Sequence, residues 1–311
     1  MEDYPATWFE FEQRFNTEEA CRQYLLALRW PEGFRCPVCE GTRSWTMSGE
    51  LLLCRSCRYQ ASVTAGTIFQ DTHLPLSRWF RAMWQVTTHK NGISALGLQR
   101  ALGLGSYRTA WTMLHKLRRA MVRPDRDQLR GVVEVDEAFW GGPERGADGR
   151  YRQTKSLIIV AAEADGRGIG RIRLRPIPGA TRESLHGFIH QAVTPGSTVR
   201  TDGLRAYSQL EGYVHLRQIQ PPGQDNAVLY RVHRVISLLK RWLMGTHQGA
   251  TDQRYLEDYL NEFAFRFNRR KSASRGKLFY RLAQYATQVH PATLASIRAS
   301  HNILSSVDSS A

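Results

Sequence analysis

Four cysteines carry the most specific chemistry in the chain. Cys36-Pro-Val-Cys39 and Cys54-Arg-Ser-Cys57 are two CxxC turns separated by fourteen residues. Two such turns offer four thiolates to one zinc ion, and the spacer is long enough for a hairpin, so the segment reads as a zinc ribbon. A redox CxxC is the competing reading, but two copies at this distance favour zinc. Four thiolates close the coordination sphere and leave no position for water, so this zinc is expected to be structural. A unit this small has little core of its own and draws folding energy from its metal. Phe34, Arg35, Arg55, Arg58 and Tyr59 flank the turns. Cys21 lies outside the pattern, in an amphipathic stretch, and is expected to be buried.

Catalysis must then be sought elsewhere, and two acids qualify. Asp136 closes the β-rich run 131–137, and Asp202 follows a strand at 197–201. If those strands are neighbours, the two carboxylates meet despite the long intervening sequence. Paired acids hold Mg²⁺, and two such ions activate a water or a 3′-hydroxyl and stabilise the leaving oxygen in phosphoryl transfer. Read singly, Asp136 is also a surface acid at a strand end, and Asp202-Gly203 is also a common turn. Glu137 is close enough to tune Asp136.

The elements that would position these acids follow from periodicity. After the strand 131–137 come a buried-type strand at 156–163, a turn at Asp165-Gly166 and an alternating strand at 169–174, together an antiparallel meander. A helix over 182–192 capped by Thr181, the strand 197–201, a short helix, a strand near 215–219 and a long helix over 226–243 complete the order. This α/β succession, βββ-α-β-α-β-α, fits a ribonuclease-H-like mixed sheet. Tyr255, Leu256, Tyr259, Leu260, Phe263 and Phe267 have helical spacing and read as core.

The 311 residues imply about two domains, with enough chain for a sizeable core. No run of 18 uncharged apolar residues occurs, so no membrane span is expected. The first 20 residues carry six acids and no apolar stretch, so no secretory signal is expected and the cytoplasm is the expected compartment. The net charge of +15 is uneven: −4 over residues 1–50, +10 over 51–130 and +9 over 131–311. A block that basic points to a polyanion, with nucleic acid the first choice.

Inside that block, Trp79, Phe80, Met83 and Trp84 form a helical stripe that reads as core. A short helix from Ile93, a turn at Gly103–Gly105 and a second helix capped by Ser106 follow. Ala110, Leu114 and Leu117 share one face of that helix. Tyr107, Arg108, Thr112, Lys116, Arg118 and Arg119 are expected on its polar surface. The pattern is a helix-turn-helix, whose second helix enters a major groove; an ordinary helical hairpin has the same pattern. The expected divisions are a helical segment at 1–30, the ribbon at 31–64, the helix-turn-helix region at 65–130, the catalytic domain at 131–290 and a tail at 291–311. A short Ser-rich end, Ser305–Ala311, is expected to fray.

The chain resembles bacterial insertion-sequence transposases of the DDE type that carry an N-terminal zinc ribbon. The resemblance rests on the four paired cysteines and on Ser62-Val-Thr-Ala-Gly-Thr-Ile-Phe69. It extends through Glu134-Val-Asp-Glu-Ala-Phe-Trp-Gly-Gly142, Thr201-Asp-Gly-Leu-Arg-Ala-Tyr207, Leu238-Leu-Lys-Arg-Trp-Leu-Met-Gly-Thr-His247 and Tyr259-Leu-Asn-Glu-Phe-Ala-Phe-Arg-Phe-Asn-Arg-Arg270. It implies a ribonuclease-H-like core that cuts and joins DNA with Mg²⁺ or Mn²⁺. It assigns the first two acids to Asp136 and Asp202. The third ligand falls seven residues before Lys240, on His233, so the site reads DDH, a substitution such families allow.

A neutral imidazole is a competent ligand, yet it prefers softer metals than Mg²⁺ and removes one negative charge from the site. It also orients a water or shuttles a proton. Asp225 is a weaker candidate for the third position. Lys240 lies almost two helical turns beyond His233, on the same face, where the resemblance implies a contact with terminal DNA. Arg241 adjoins it. The stretch 266–277 holds six basic residues and no acid. Arg269, Arg270 and Lys271 within it are expected to touch phosphates. The implied partners are terminal inverted repeats and a target duplex on the bacterial chromosome, with a homodimer or larger assembly on DNA. A DNA-binding derivative that has lost catalysis, and a nuclease that cuts without joining, are the competing functions.

Overall fold

The computed structural model describes residues 2–47, 51–123, 126–141, 143–145, 151–153, 155–219, 228–249 and 251–299, with 143–145 and 151–153 described by backbone alone. Asp225, the Ser-rich end and the start of the helix expected from residue 226 lie outside them. In chain order the elements are α1 (Trp8–Arg14), α2 (Glu18–Arg29), β1 (Ser44–Thr46), β2 (Leu52–Cys54), β3 (Gln60–Ala61), α3 (Leu76–Thr88), α4 (Ala95–Leu102) and α5 (Tyr107–Ala120). Then come β4 (Val132–Trp140), β5 (Pro143–Arg145), β6 (Tyr151–Gln153), β7 (Ser156–Asp165), β8 (Gly168–Ile177), α6 (Arg182–Ala192), β9 (Thr198–Thr201) and β10 (Val214–Arg217). The chain continues with α7 (Tyr230–His247), α8 (Leu256–Asn268), α9 (Gly276–Ala286) and α10 (Leu294–Ala299). The chain forms two units: Met1–Arg123 with Lys271–Ile297, and Pro124–Arg270.

In the first unit the ribbon is a small antiparallel sheet, β1-β2-β3. The helical part is built on aromatic rings. Phe11, Phe15, Phe80 and Phe279 are all at most 2% exposed. Phe279 comes from α9, far along the chain, and its ring meets those of Phe11, Phe15, Tyr24, Phe80 and Trp84. Residues 271–290, expected in the catalytic domain, therefore divide differently. Leu278, Phe279, Leu282 and Ala283 are buried, and α9 packs on α2, α3 and α5. Residues 294–299 of the expected tail form α10, whose Ile297 is fully buried. Trp79, Phe80, Met83 and Trp84 are core, as their spacing requires.

The second unit is a five-stranded mixed sheet in the order β10-β9-β4-β7-β8. β4, β7 and β8 form the antiparallel meander, while β9 and β10 run parallel to β4. Helices cover both faces. Val133, Val135, Ile159, Ala161 and Val199 point to one side, against Leu185, Phe188 and Ile189 of α6. Trp140, Ile158, Val160, Ile172 and Leu174 point to the other, against α7 and α8. The period-2 alternation of a two-sided sheet makes this division. The strand order and its single parallel switch are those of the ribonuclease-H-like fold, in agreement with the sequence reading.

Candidate active site

Pairing between β4 and β9 sets Val132 against Thr198 and Glu134 against Arg200. Continuing that register two residues brings Asp202 level with Asp136. Asp136 has the parity of Glu134 and Trp140, so it faces α7. There the His233 imidazole Nε2 lies 3.1 Å from Asp136 Oδ2. The other oxygen of Asp136 accepts the Glu137 N–H at 2.8 Å. Burial raises the Asp136 pKa above the ordinary aspartate range, and the nearby Asp202 charge adds to it; the Glu137 N–H and His233 oppose the shift. Asp202 is thus close enough for its charge to act on Asp136. Asp202 itself is half-buried and its Oδ1 accepts the Leu204 N–H at 3.0 Å, so it also performs the turn chemistry read from Asp-Gly.

The donor set fits a divalent cation: two carboxylates whose repulsion a cation relieves, and an imidazole already against one of them. The Nδ1 of His233 is buried with no hydrogen-bond partner among the described residues. The three groups are nonetheless not gathered as tightly as a closed metal centre. Among the described residues, only the four cysteines form a compact cluster of three or more ligand atoms.

Two glutamates beside Asp136 were legible only as neighbours. Glu134 is 2% exposed. Its Oε1 lies 2.8 Å from Arg231 Nη1, and its Oε2 accepts the N–H groups of Arg231 at 2.8 Å and Val232 at 3.1 Å. Glu137 points to the opposite face and accepts the Tyr207 hydroxyl at 2.5 Å. Burial drives the Glu137 pKa up to about 7; Tyr207 opposes this, and the charges of Asp136 and Asp202 add to it. The signal for Glu134 was a charged residue at core parity in a valine-rich strand. Tyr207 ends the Thr201–Tyr207 motif, where nothing in the sequence assigns it a role.

His233, Ser237, Lys240 and Met244 follow at i, i+4, i+7 and i+11 on α7, and Ser237, Lys240 and Met244 are exposed along one stripe. Arg241 is exposed beside it. Arg270 is engaged differently from expectation. Its guanidinium donates to the Ile169 and Gly170 carbonyls and lies 3.9 Å from the Phe267 ring centroid. Arg269 stacks over Phe265 at 4.0 Å and donates to the Phe265 carbonyl. Lys271 is exposed.

In the ribbon, the two turns are structural copies. Cys36 N donates to Gly41 O and Glu40 N to Cys36 O; Cys54 N donates to Tyr59 O and Arg58 N to Cys54 O. Glu40 and Arg58 each take positive φ, at 58° and 63°, as a tight turn around a metal requires. The four sulfurs lie within 4.8 Å of one another, and two pairs are at 3.6 Å. A tetrahedron with Zn–S of about 2.3 Å has sulfurs about 3.8 Å apart, so the thiols fit zinc. The Cys54 pKa falls to about 6, chiefly because its sulfur accepts backbone N–H groups. Cys21 is fully buried and its thiol is pushed up to about 12 by that burial, which makes it inert. Outside the metal, Arg55 and Arg58 guanidinium groups lie 4.7 and 5.7 Å from the ring of Trp45, itself 47% exposed. Arg35 and Arg43 are exposed nearby in sequence.

The two helices and the turn between them form where the sequence places them. Gly103 takes the left-handed C-cap of α4 at φ 59°, and the Ser106 hydroxyl accepts the Arg108 N–H. Tyr107 and Arg108 are exposed on the first turn of α5. Further along, the expected polar surface is not all surface. Arg118 is 2% exposed with its guanidinium 3.3 Å from His115, because it shares the inward face of Leu114 and Leu117. Lys116 lies over Trp79 and donates to Gln70 O. Arg119 donates to Ser296 O of α10.

Residues 128–268 match the ISXO2-like transposase domain, and residues 16–60 match the transposase zinc-ribbon domain. A curated relative, described as an uncharacterized protein in transposable element ISH50 of Halobacterium salinarum, is 27% identical over 277 residues. The match covers 81% of this chain and 91% of that protein. That relative is archaeal, so a bacterial host does not follow from the match. Among solved structures, the catalytic core domain of BIV integrase is 19% identical, with 42% of this chain and 80% of that chain covered at a TM-score of 0.28. A chain of a simian T-cell lymphotropic virus intasome is 17% identical, with 53% and 60% covered at a TM-score of 0.27. No helix among the described residues is long and apolar enough to cross a membrane.

Proposed function

Since the chain belongs to the zinc-ribbon transposases with an ISXO2-like domain, we propose that it cuts and joins DNA at the ends of an insertion sequence, using Asp136, Asp202 and His233 as one metal-binding site. The observation that carries the reading is the 3.1 Å approach of His233 to Asp136 beside the Asp202 charge, on adjacent strands of this sheet. Mg²⁺ or Mn²⁺ held there supplies Lewis-acid activation of a water or 3′-hydroxyl and neutralises charge on the phosphate. Asp136 and Asp202 supply the anionic oxygens. His233 supplies a neutral donor, which leaves the site one charge less negative than a third carboxylate would.

Around that site the chain's own residues hold the DNA. Lys240 and Arg241 face the phosphates next to the reacting end. Tyr107 and Arg108 read the terminal repeat from the first turn of α5, where recognition helices meet base edges. Arg55 and Arg58, held against Trp45, give the ribbon a cationic, aromatic face for the backbone. Lys271 is the remaining phosphate contact of the 269–271 run; Arg269 and Arg270 act mainly within the fold. Two element ends must be held together for joining, so a dimer or larger assembly forms on DNA. The ribbon holds one structural zinc.

The test is strand transfer of a labelled, pre-cut element end into plasmid by the zinc-loaded protein. Joined product from wild type, and none from Asp136→Ala with DNA still bound, supports the reading. Cutting without joining would indicate a nuclease. Binding with neither reaction in either protein would indicate a DNA-binding derivative.

A further inference from the structure

The segment Glu134-Val-Asp136-Glu137 contains one proposed metal ligand and two further carboxylates, Glu134 bonded to Arg231 and Val232 and Glu137 bonded to Tyr207. Each reaches a different element. We propose that Glu134 and Glu137 are positioning residues: Glu134 fixes the helix that carries His233, and Glu137, through Tyr207, fixes the turn that carries Asp202. The inference deepens the proposed function and rests on its metal site.

The geometry at Glu134 is that of a borrowed helix cap. α7 is entered through Leu229 in the left-handed conformation, φ 55°, and no side chain at that position caps it. The first-turn N–H groups of a helix have no partner within it. Glu134, 97 and 98 residues earlier, accepts two of them, from Arg231 and Val232. A carboxylate there also meets the positive end of the helix dipole. The Arg231 side chain completes the joint. It pairs with Glu134 and donates to Gly166 O at 2.8 Å and Gly168 O at 3.0 Å, in the β7–β8 turn.

The joint and the site are consecutive rungs. Glu134 and Asp136 are two apart on one face of β4, and Val232 and His233 are adjacent on α7. Glu134 holds Val232, and the next inward acid, Asp136, meets His233. A shift of α7 along the strand would break both rungs together. On the opposite face, Tyr207 is fully buried among Val133, Val135 and Val199, so its hydroxyl has a fixed position. Its bond to Glu137 ties residues 202–207 to the strand segment bearing Asp136. One strand thus supplies a ligand and the braces for the two elements bearing the other ligands.

The experiment is Mn²⁺ binding to the full-length, zinc-loaded protein, read by loss of the free-ion electron paramagnetic resonance signal and needing no catalysis. Wild type, Asp136→Ala, Glu134→Gln, Glu134→Ala, Glu137→Gln and Tyr207→Phe are compared, with DNA affinity and circular dichroism measured on each. Removing groups that orient metal ligands typically weakens metal binding by about 10- to 100-fold. Glu134→Ala and Tyr207→Phe are expected to fall in that range, with DNA affinity unchanged. Glu134→Gln and Glu137→Gln keep an acceptor oxygen and are expected to recover most of the affinity. If Glu134→Ala fails to fold, Glu134→Asp, whose shorter side chain withdraws the carboxylate from the α7 N–H groups, takes its place beside Tyr207→Phe, with the same loss expected. Wild-type affinity in Tyr207→Phe and in folded Glu134→Ala would overturn the proposal. So would a loss in Glu137→Gln as large as in Asp136→Ala, which would make Glu137 a ligand. Wild type binding Mn²⁺ no better than Asp136→Ala would remove the metal site and this inference with it. Wild type binding Mn²⁺ without joining DNA would remove the proposed reaction and leave the positioning role to these measurements.

Discussion

Phe279→Ala tests whether the first unit is closed by a helix from the far end of the chain. Phe279 is fully buried and its ring centroid lies 5.3 to 6.2 Å from those of Phe11, Phe15, Tyr24, Phe80 and Trp84. Truncating a core Phe costs about 3–5 kcal/mol through lost transfer energy and the cavity left behind. Edge-to-face pairing adds to the area term, so the upper end, about 4–5 kcal/mol, applies here. Against a total of about 5–15 kcal/mol for a domain, that is about a quarter or more of the unit's stability. With an m-value of about 2 kcal/mol/M, the urea midpoint falls by about 2 M. Tryptophan fluorescence reports it selectively, because six of the eight tryptophans precede residue 124. DNA affinity should be lost over the same urea range. A midpoint shift below about 0.5 M, at unchanged m-value, would refute the claim that α9 completes this core.

Three further outcomes are expected. Cys54→Ser, or treatment of the wild type with a strong chelator, should release about one zinc per chain and abolish the ribbon's structure, read by metal analysis and proteolysis around residues 35–60; a ribbon that resists proteolysis without zinc would count against structural zinc. Gly276→Ala places a Cβ into the Pro5 carbonyl, which packs against the start of α9, and should destabilise the first unit by about 1–3 kcal/mol in the same urea assay; unchanged stability would contradict that close approach. Arg108→Ala should weaken binding to the element end; a change in sequence preference costing about 1–3 kcal/mol would mark a base contact, whereas a uniform loss with a salt slope lower by about one would mark a phosphate contact, and no change at all would contradict its place in the interface.

Much of this architecture is written locally in the chain. The four-cysteine spacing gives the ribbon, Gly103 and Ser106 give the turn between α4 and α5, and the apolar patterning gives β4, β7, β8 and β9. The closeness of the chain segments that carry Asp136 and Asp202 follows once β9 is placed beside β4. What escaped the sequence depends on partners distant along the chain. The cap of α7 comes from Glu134, so nothing next to residue 230 announces where that helix starts. The amphipathic pattern of α9 shows that Phe279 is buried but does not say in which core. Arg118 and Arg270 look like DNA-facing cations because charge alone does not reveal carbonyls, rings and helix faces that draw a long side chain inward.

The central claim is that Asp136, Asp202 and His233 hold a divalent ion that drives DNA joining. Asp202→Cys tests it most directly, because a thiolate disfavours Mg²⁺ and accepts softer ions more readily. The account predicts that Asp202→Cys binds the element end with wild-type affinity, fails to join it in Mg²⁺, and regains joining in Mn²⁺. Full activity of Asp202→Cys in Mg²⁺, or equal inactivity in both ions with wild type active in both, would contradict it.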